Sequence, residues 1–159
     1  METIEITVYS FDELNDKAKE TARAWYRDGL EYPWFSESID SIRAFVEHFG
    51  AKAIDWSLGE RGRDYIKTDI SKDHFRGRKL KDFDPEYMPT GYCLDCDLWG
   101  AFYKEWERTS DPMYAFEQAL EAALVAIARD VEYQFSDEAI DESIIVNGYQ
   151  FLEHGRVFK

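Results

Sequence analysis

Apolar residues recur every three to four positions over several stretches of the chain, which is the spacing of an amphipathic helix. Ser10 and Glu13 form a capping box, in which both side chains satisfy free backbone amides at a helix start. The apolar spacing that follows predicts a helix to about Asp28. A second helix is predicted over residues 36–49, and Gly50 is its expected stop.

Two further helices have strong start signals in the second half of the chain. Asp111 followed by Pro112 places a capping side chain and a proline where a helix start favours them, and the helix that follows is the longest. Another helix is predicted from Ser136 to the Asn-Gly pair at 147–148. Residues 93–108 are compatible with a helix or a strand, and their apolar spacing favours the helix.

Short β-branched and aromatic segments predict strands. Residues 3–8, TIEITV, alternate between apolar and polar side chains, and residues 52–58 and 64–70 flank a turn rich in glycine. The tail pairs residues 149–151 with residues 156–158 in a small hairpin. Because such short strands are not stable alone, we expect the first strand and the tail hairpin to share one sheet, with the middle pair as candidate members.

The order of these elements predicts an α+β fold with a small antiparallel sheet packed by about five helices. The chain has 159 residues, which is about the length of one domain, so residues 1–159 are expected to form a single acidic domain. A hydrophobic content of 45% is sufficient for a sizeable core. The beginning of the chain has no secretory pattern and no stretch is long and apolar enough for a membrane span, which favours a cytoplasmic protein.

Charge restricts the partners that this chain can have. Its net charge of −14 disfavours direct binding of nucleic acid and of anionic membranes. The segment 105–142 has eleven acids and two bases, whereas the segment Arg61–Lys81 has eight bases and three acids. Such blocks are often only solvated surface. The alternative is a strongly negative face beside a local basic patch, and this patch is a rival contact for an acidic partner.

The densest group of acids is the candidate partner-binding site. Like charges four positions apart on a helix repel each other by about 0.2–0.5 kcal/mol, so this density is unfavourable for the helix itself. We therefore interpret it as a contact surface, and neutralising the acids of 137–142 is expected to leave stability level or to raise it. The candidate residues are Asp130, Glu132, Asp137, Glu138, Asp141 and Glu142.

The remaining chemical motifs are weak. Cys93 and Cys96 form a CxxC pattern, but the sequence has no second pair at a ligand spacing that would complete a zinc site. The acidic Asp95 between the thiols disfavours a low thiolate pKa. Three scattered histidines and the absence of a phosphate-binding loop predict no catalytic residues, no metal and no cofactor. Because these motifs are weak, a small hydrolase or a metal-binding protein ranks third among the hypotheses, after the two binding functions described below.

Aromatic residues are abundant around two regions, near residues 25–35 and 92–106. They are expected to supply the core more than an interface, although tryptophan and tyrosine also anchor protein interfaces.

Residues 9–19, YSFDELNDKAK, and residues 132–140, EYQFSDEAI, resemble a widespread group of small bacteriophage proteins described as antitoxins of a toxin–antitoxin stability system. The segment NGYQF at 147–151 is similar to the same group. The middle departs from it, since DWSLG at 55–59 replaces the glycine-rich stretches usual there. The resemblance implies a phage-encoded protein that acts in the cytoplasm of the host bacterium, and it carries over no catalytic residue.

Charge and resemblance together predict a non-enzymatic inhibitor of a host defence protein of the CRISPR or restriction type. Its acidic surface would mimic nucleic acid and bind a basic nucleic-acid-binding protein. The alternative is an antitoxin that neutralises a basic toxin by direct contact. The sequence leaves open which partner is bound and whether the chain forms a homodimer.

Overall fold

The computed structural model describes residues 1–58, 64–83 and 93–158, and it shows the α+β class that the sequence predicts. The helices of this described part are α1 (Asp16–Asp28), α2 (Phe35–His48), α3 (Asp95–Thr109), α4 (Pro112–Gln134) and α5 (Asp137–Val146). Its strands are β1 (Tyr9–Ser10), β2 (Ala53–Ser57), β3 (Tyr65–Thr68) and β4 (Gln150–Phe151).

The capping box at the beginning of the chain is present, but it does not start α1. The Ser10 N–H donates to Glu13 Oε2 at 2.8 Å and closes a short 3₁₀ turn. Helix α1 begins after Asn15, whose Oδ1 accepts a hydrogen bond from the Ala18 N–H at 2.8 Å. The predicted end at Asp28 is confirmed. The N-cap of α1 is therefore Asn15 and not Ser10.

The later helix starts follow their capping residues. Asp111 Oδ1 accepts from the Tyr114 N–H at 3.1 Å at the start of α4, and Ser136 Oγ accepts from the Ala139 N–H at 3.3 Å at the start of α5. Residues 95–109 form a helix, which settles the ambiguity there.

The strand predicted over residues 3–8 is wrong. These residues pair with no strand in the described part of the chain, and Ile4 and Ile6 are 78% and 56% exposed. Instead, Tyr9–Ser10 pairs antiparallel with Gln150–Phe151. The beginning and the end of the chain do share a sheet, but through a two-residue contact, because the alternating segment before it finds no partner edge on which to bury its isoleucines.

The two predicted hairpin pairings are confirmed. The Leu152 N–H donates to the Arg156 carbonyl at 2.8 Å, and the Phe158 N–H donates to the Gln150 carbonyl at 2.7 Å. Strands β2 and β3 pair antiparallel, as a two-stranded sheet separate from β1 and β4. The turn proposed between them, residues 59–62, lies outside the described residues.

The sequence predicts one domain over residues 1–159, and the structure shows two compact units in it. The first unit comprises Met1–Glu31 and Glu132–Lys159, and the second comprises Tyr32–Val131. In the first unit α1 packs on α5 over a small core that includes Phe11, Ile140 and Phe151.

The second unit has an aromatic core. Its buried rings meet at centroid distances of about 5–6 Å, most of them edge to face, which is the arrangement that aromatic quadrupoles favour. The rings are Phe45, Phe49, Phe75, Phe83, Trp99, Phe102, Trp106 and Phe116. The expectation that most of these aromatic residues are core is therefore confirmed for the 99–106 group, whereas Trp25 and Trp34 remain 37% and 45% exposed. Tyr92 lies outside the described residues.

Candidate functional site

Helix α5 carries four of the six candidate acids. Its ten residues include no base. Three of its five apolar residues are buried, whereas Ile145 and Val146 are exposed. The four acids lie outside the buried side of the helix. Asp137 and Glu138 lie in the first turn, where the helix dipole stabilises negative charge.

Two arginines of α1 pair with the acids of α5. Arg23 binds Asp141 through two hydrogen bonds, from Nε to Oδ1 at 2.6 Å and from Nη2 to Oδ2 at 2.7 Å. Arg27 donates to Asp137 and to the Phe135 carbonyl, the latter at 3.2 Å. The two arginines thus form a charged seam between α1 and α5, the two helices of the first unit.

This seam corrects the expected effect of neutralising the acids. The expectation of level or higher stability counted only repulsion between acids along α5. Because Asp141 and Asp137 each have an arginine partner, their neutralisation removes attraction as well. The Arg23 and Asp141 side chains are 16% and 26% exposed, so this pair is shielded from solvent and is worth more than a surface ion pair.

The pKa values follow the same contacts. The hydrogen bond from Arg27 lowers the pKa of Asp137 below its ordinary value. The hydrogen bonds to Asp141 raise the pKa of Arg23. Both shifts favour the charged forms of Asp137 and Arg23, and the two ion pairs hold α5 against α1.

The other three candidate acids of the first unit have no such partner among the described residues. Glu132, Glu138 and Glu142 are exposed, and none of them forms an ion pair with another described residue. Glu138 and Glu142 are four positions apart, so they lie one above the other on α5. The unit as a whole has fourteen acids and six bases, a net charge of −8. Its free acids are therefore available for an external contact.

Asp130 has a different environment from the other candidates. It belongs to the second unit, where Asp130 Oδ2 accepts a hydrogen bond from the hydroxyl of Tyr32. Tyr32 is only 7% exposed. Its burial is the main cause that raises the pKa of its hydroxyl, and the hydrogen bond to Asp130 is the second. Asp130 is thus part of a partly buried polar pair and not of an open acidic face.

A cleft of about 470 Å³ lies beside this pair in the second unit. Residues before and within α2, at the start of α3 and near the end of α4 line it. Its walls include Tyr32, Trp34, Ser38, Asp97, Ile127 and Asp130. Sequence reasoning missed this site, because its parts lie far apart in the chain and only the aromatic density around residues 25–35 pointed to it.

The cysteines and the basic stretch show no built chemical site. Cys93 and Cys96 are free thiols with exposed side chains, and Cys93 Sγ lies 3.9 Å from Ser38 Oγ. Within the described ranges, no three histidine, cysteine or acidic side chains are grouped as metal ligands would be. Of the basic stretch, Arg61 and Arg63 lie outside the described residues, and the remaining six bases are exposed.

Comparisons of the chain with protein-family models, with curated proteins and with solved structures found no match. In the part of the chain that the structure describes, no helix has both the length and the apolar character needed to cross a membrane.

Proposed function

We propose that this chain is a non-enzymatic binding protein that docks the acidic face of α5 on a basic, nucleic-acid-binding surface of another protein. The observation that supports this proposal is that the acids of α5 have two different environments. Asp137 and Asp141 form ion pairs with Arg27 and Arg23 of α1, whereas Glu138 and Glu142 are exposed.

A helix fastened in this way presents its free carboxylates at fixed positions. Glu138 and Glu142 are separated by about 6 Å along the helix axis, and the surrounding unit is strongly acidic. Carboxylates held in place lose little conformational entropy on binding, and the field of the unit steers a basic partner towards them. They would take the place of phosphates on the partner.

The resemblance to phage proteins suggests a biological setting for this contact. In that setting the chain acts in the host bacterial cytoplasm and occupies the nucleic-acid channel of a defence protein of the CRISPR or restriction type. An antitoxin that neutralises a basic toxin would use the same acidic face, and the identity of the captured partner distinguishes the two.

The experiment compares the parent chain with two double variants as bait in lysate of a bacterium that carries such defence systems. Glu138→Gln with Glu142→Gln removes the proposed contact. Glu117→Gln with Glu121→Gln is the matched control, because these exposed acids are also four positions apart, but on α4. Each capture is repeated at low and moderate salt, with and without duplex DNA as competitor.

We expect the parent and the control to retain a nucleic-acid-binding protein that DNA and added salt displace, with the α5 variant binding severalfold more weakly. Equal capture by all three baits would refute the role of α5. If no captured protein is displaced by DNA, the mimicry proposal is wrong.

A further inference from the structure

The cleft of the second unit has acidic walls. Glu37, Asp97 and Asp130 line it from three different helices, and no lysine, arginine or histidine is among its described lining residues. Glu37 and Asp97 are exposed, whereas Asp130 is half-buried. The cleft therefore offers carboxylates at two depths and repels anions.

The same cleft has an aromatic and hydroxyl lining that an ordinary acidic surface lacks. Trp34 is 45% exposed and forms one wall, while Ile127 contributes an apolar wall from α4. The hydroxyl of Tyr32 is already used as a donor to Asp130 Oδ2, so its orientation is fixed. Ser38 is 1% exposed and also faces the cleft.

The second carboxylate oxygen of Asp130, Oδ1, can still accept a hydrogen bond. The Tyr32 hydroxyl occupies its Oδ2, and no described residue donates a hydrogen bond to its Oδ1. The hydrogen bond from Tyr32 also holds the carboxylate in one orientation. A cation that enters the cleft would find this second oxygen in place.

We propose that this cleft binds a guanidinium group, either of a free alkylguanidine or of an arginine side chain in a peptide. A planar guanidinium can stack on an exposed indole such as that of Trp34 while its fork of N–H donors reaches a carboxylate. Its aliphatic stem suits the apolar wall at Ile127. Lysine has no flat face for such stacking, and anions are repelled by the three carboxylates.

The experiment is an NMR titration of the ¹⁵N-labelled full chain, which follows the indole N–H signal of Trp34 as assigned with Trp34→Phe. The probes are Nα-acetylarginine N-methylamide, its neutral citrulline isostere, and ethylguanidine. The variants are Asp97→Asn alone and Asp97→Asn with Asp130→Asn, since asparagine at 130 can still accept the Tyr32 hydroxyl. Glu121→Gln is the control, because it lies nine positions before Asp130 and so on the opposite side of α4.

We expect the arginine probe to shift the Trp34 signal saturably and the citrulline isostere to bind about tenfold more weakly, because it lacks the charge. The double variant should weaken arginine binding by about tenfold, Asp97→Asn should weaken it by less, and Glu121→Gln should change it by less than about twofold. Stronger binding of the peptide-like probe than of ethylguanidine identifies a peptide arginine as the source, and equal binding identifies a free guanidine.

An absence of saturable shift with both guanidinium probes would overturn the proposal. So would citrulline binding as tight as that of arginine, or unchanged arginine binding in both Asp97 variants. Asp97 lies at the exposed rim, so its variant keeps the test valid if the double variant unfolds. No residue of α5 lines the cleft, so this inference and the proposed docking through Glu138 and Glu142 can fail separately.

Discussion

Gly155 is the position at which a single added methyl group should harm this protein most. It lies in the tail hairpin with φ of +88°, a conformation that side chains other than glycine rarely adopt. A Cβ at Gly155 would lie 2.0 Å from the carbonyl oxygen of Ala18 and 2.8 Å from its carbonyl carbon. These are backbone atoms of α1, so they cannot move aside as the end of a flexible side chain can.

The expected cost of Gly155→Ala has two parts. The left-handed conformation costs about 1–2 kcal/mol for a residue with a Cβ. Relief of the overlap requires the hairpin or α1 to shift, and forced overpacking of this kind costs about 1–3 kcal/mol. Alanine also makes the unfolded chain less flexible, and this loss of unfolded-state entropy raises the free energy of unfolding by about 0.4–1 kcal/mol. The net loss is therefore about 1–4.6 kcal/mol, a large fraction of the stability of a typical domain.

Gly148→Ala is the matched control. Gly148 also has a positive φ, of +67°, and lies in the same unit, but no described atom outside its own residue and its chain neighbours lies within 4 Å of a Cβ built there. It should cost only the conformational part, about 0–1.6 kcal/mol after the unfolded-state gain is subtracted. Urea unfolding is followed by far-UV circular dichroism and by tryptophan fluorescence, to which Trp25 contributes from beside Tyr149. If the two variants differ by less than about 0.5 kcal/mol, the close approach of the hairpin to α1 is wrong.

Three further predictions concern other parts of the chain. Asp141→Asn should lower the free energy of unfolding by about 1–3 kcal/mol, because it leaves the shielded Arg23 with only the exposed Glu20 as a carboxylate partner, and urea unfolding that shows no loss would contradict the seam. Gly100→Ala should raise the free energy of unfolding by about 0.5–1 kcal/mol and with it the melting temperature, since Gly100 lies inside α3 and an added Cβ would meet no described atom within 4 Å apart from its neighbours in the helix. His48 has a pKa lowered below 6.5 by burial and by Arg78, so the unfolded chain takes up a proton first as the pH falls. Stability should therefore decrease as the pH drops below 6.5 towards that lowered value, and thermal melts of His48→Gln should show a smaller decrease.

The sequence by itself determined the elements whose signals are local. Asp111 and Ser136 cap α4 and α5 as predicted, because a capping side chain bonds to an amide three residues away. The spacing of Phe45 and Phe49 placed both on the buried side of the end of α2, because the helix period is set within a few residues. These interactions lie inside a short window of chain, so the window contains the information.

The tertiary structure decided everything that depended on a distant partner. The TIEITV segment has the composition of a strand, but a strand also needs a neighbour to satisfy its backbone, and none of the described residues provides one. Arg23 meets Asp141 118 residues later, and Tyr32 meets Asp130 98 residues later. Whether an acid is free, paired or part of a cleft depends on which chain segment the fold brings beside it, because a Coulomb interaction or a hydrogen bond acts over ångströms in space and not over positions in sequence.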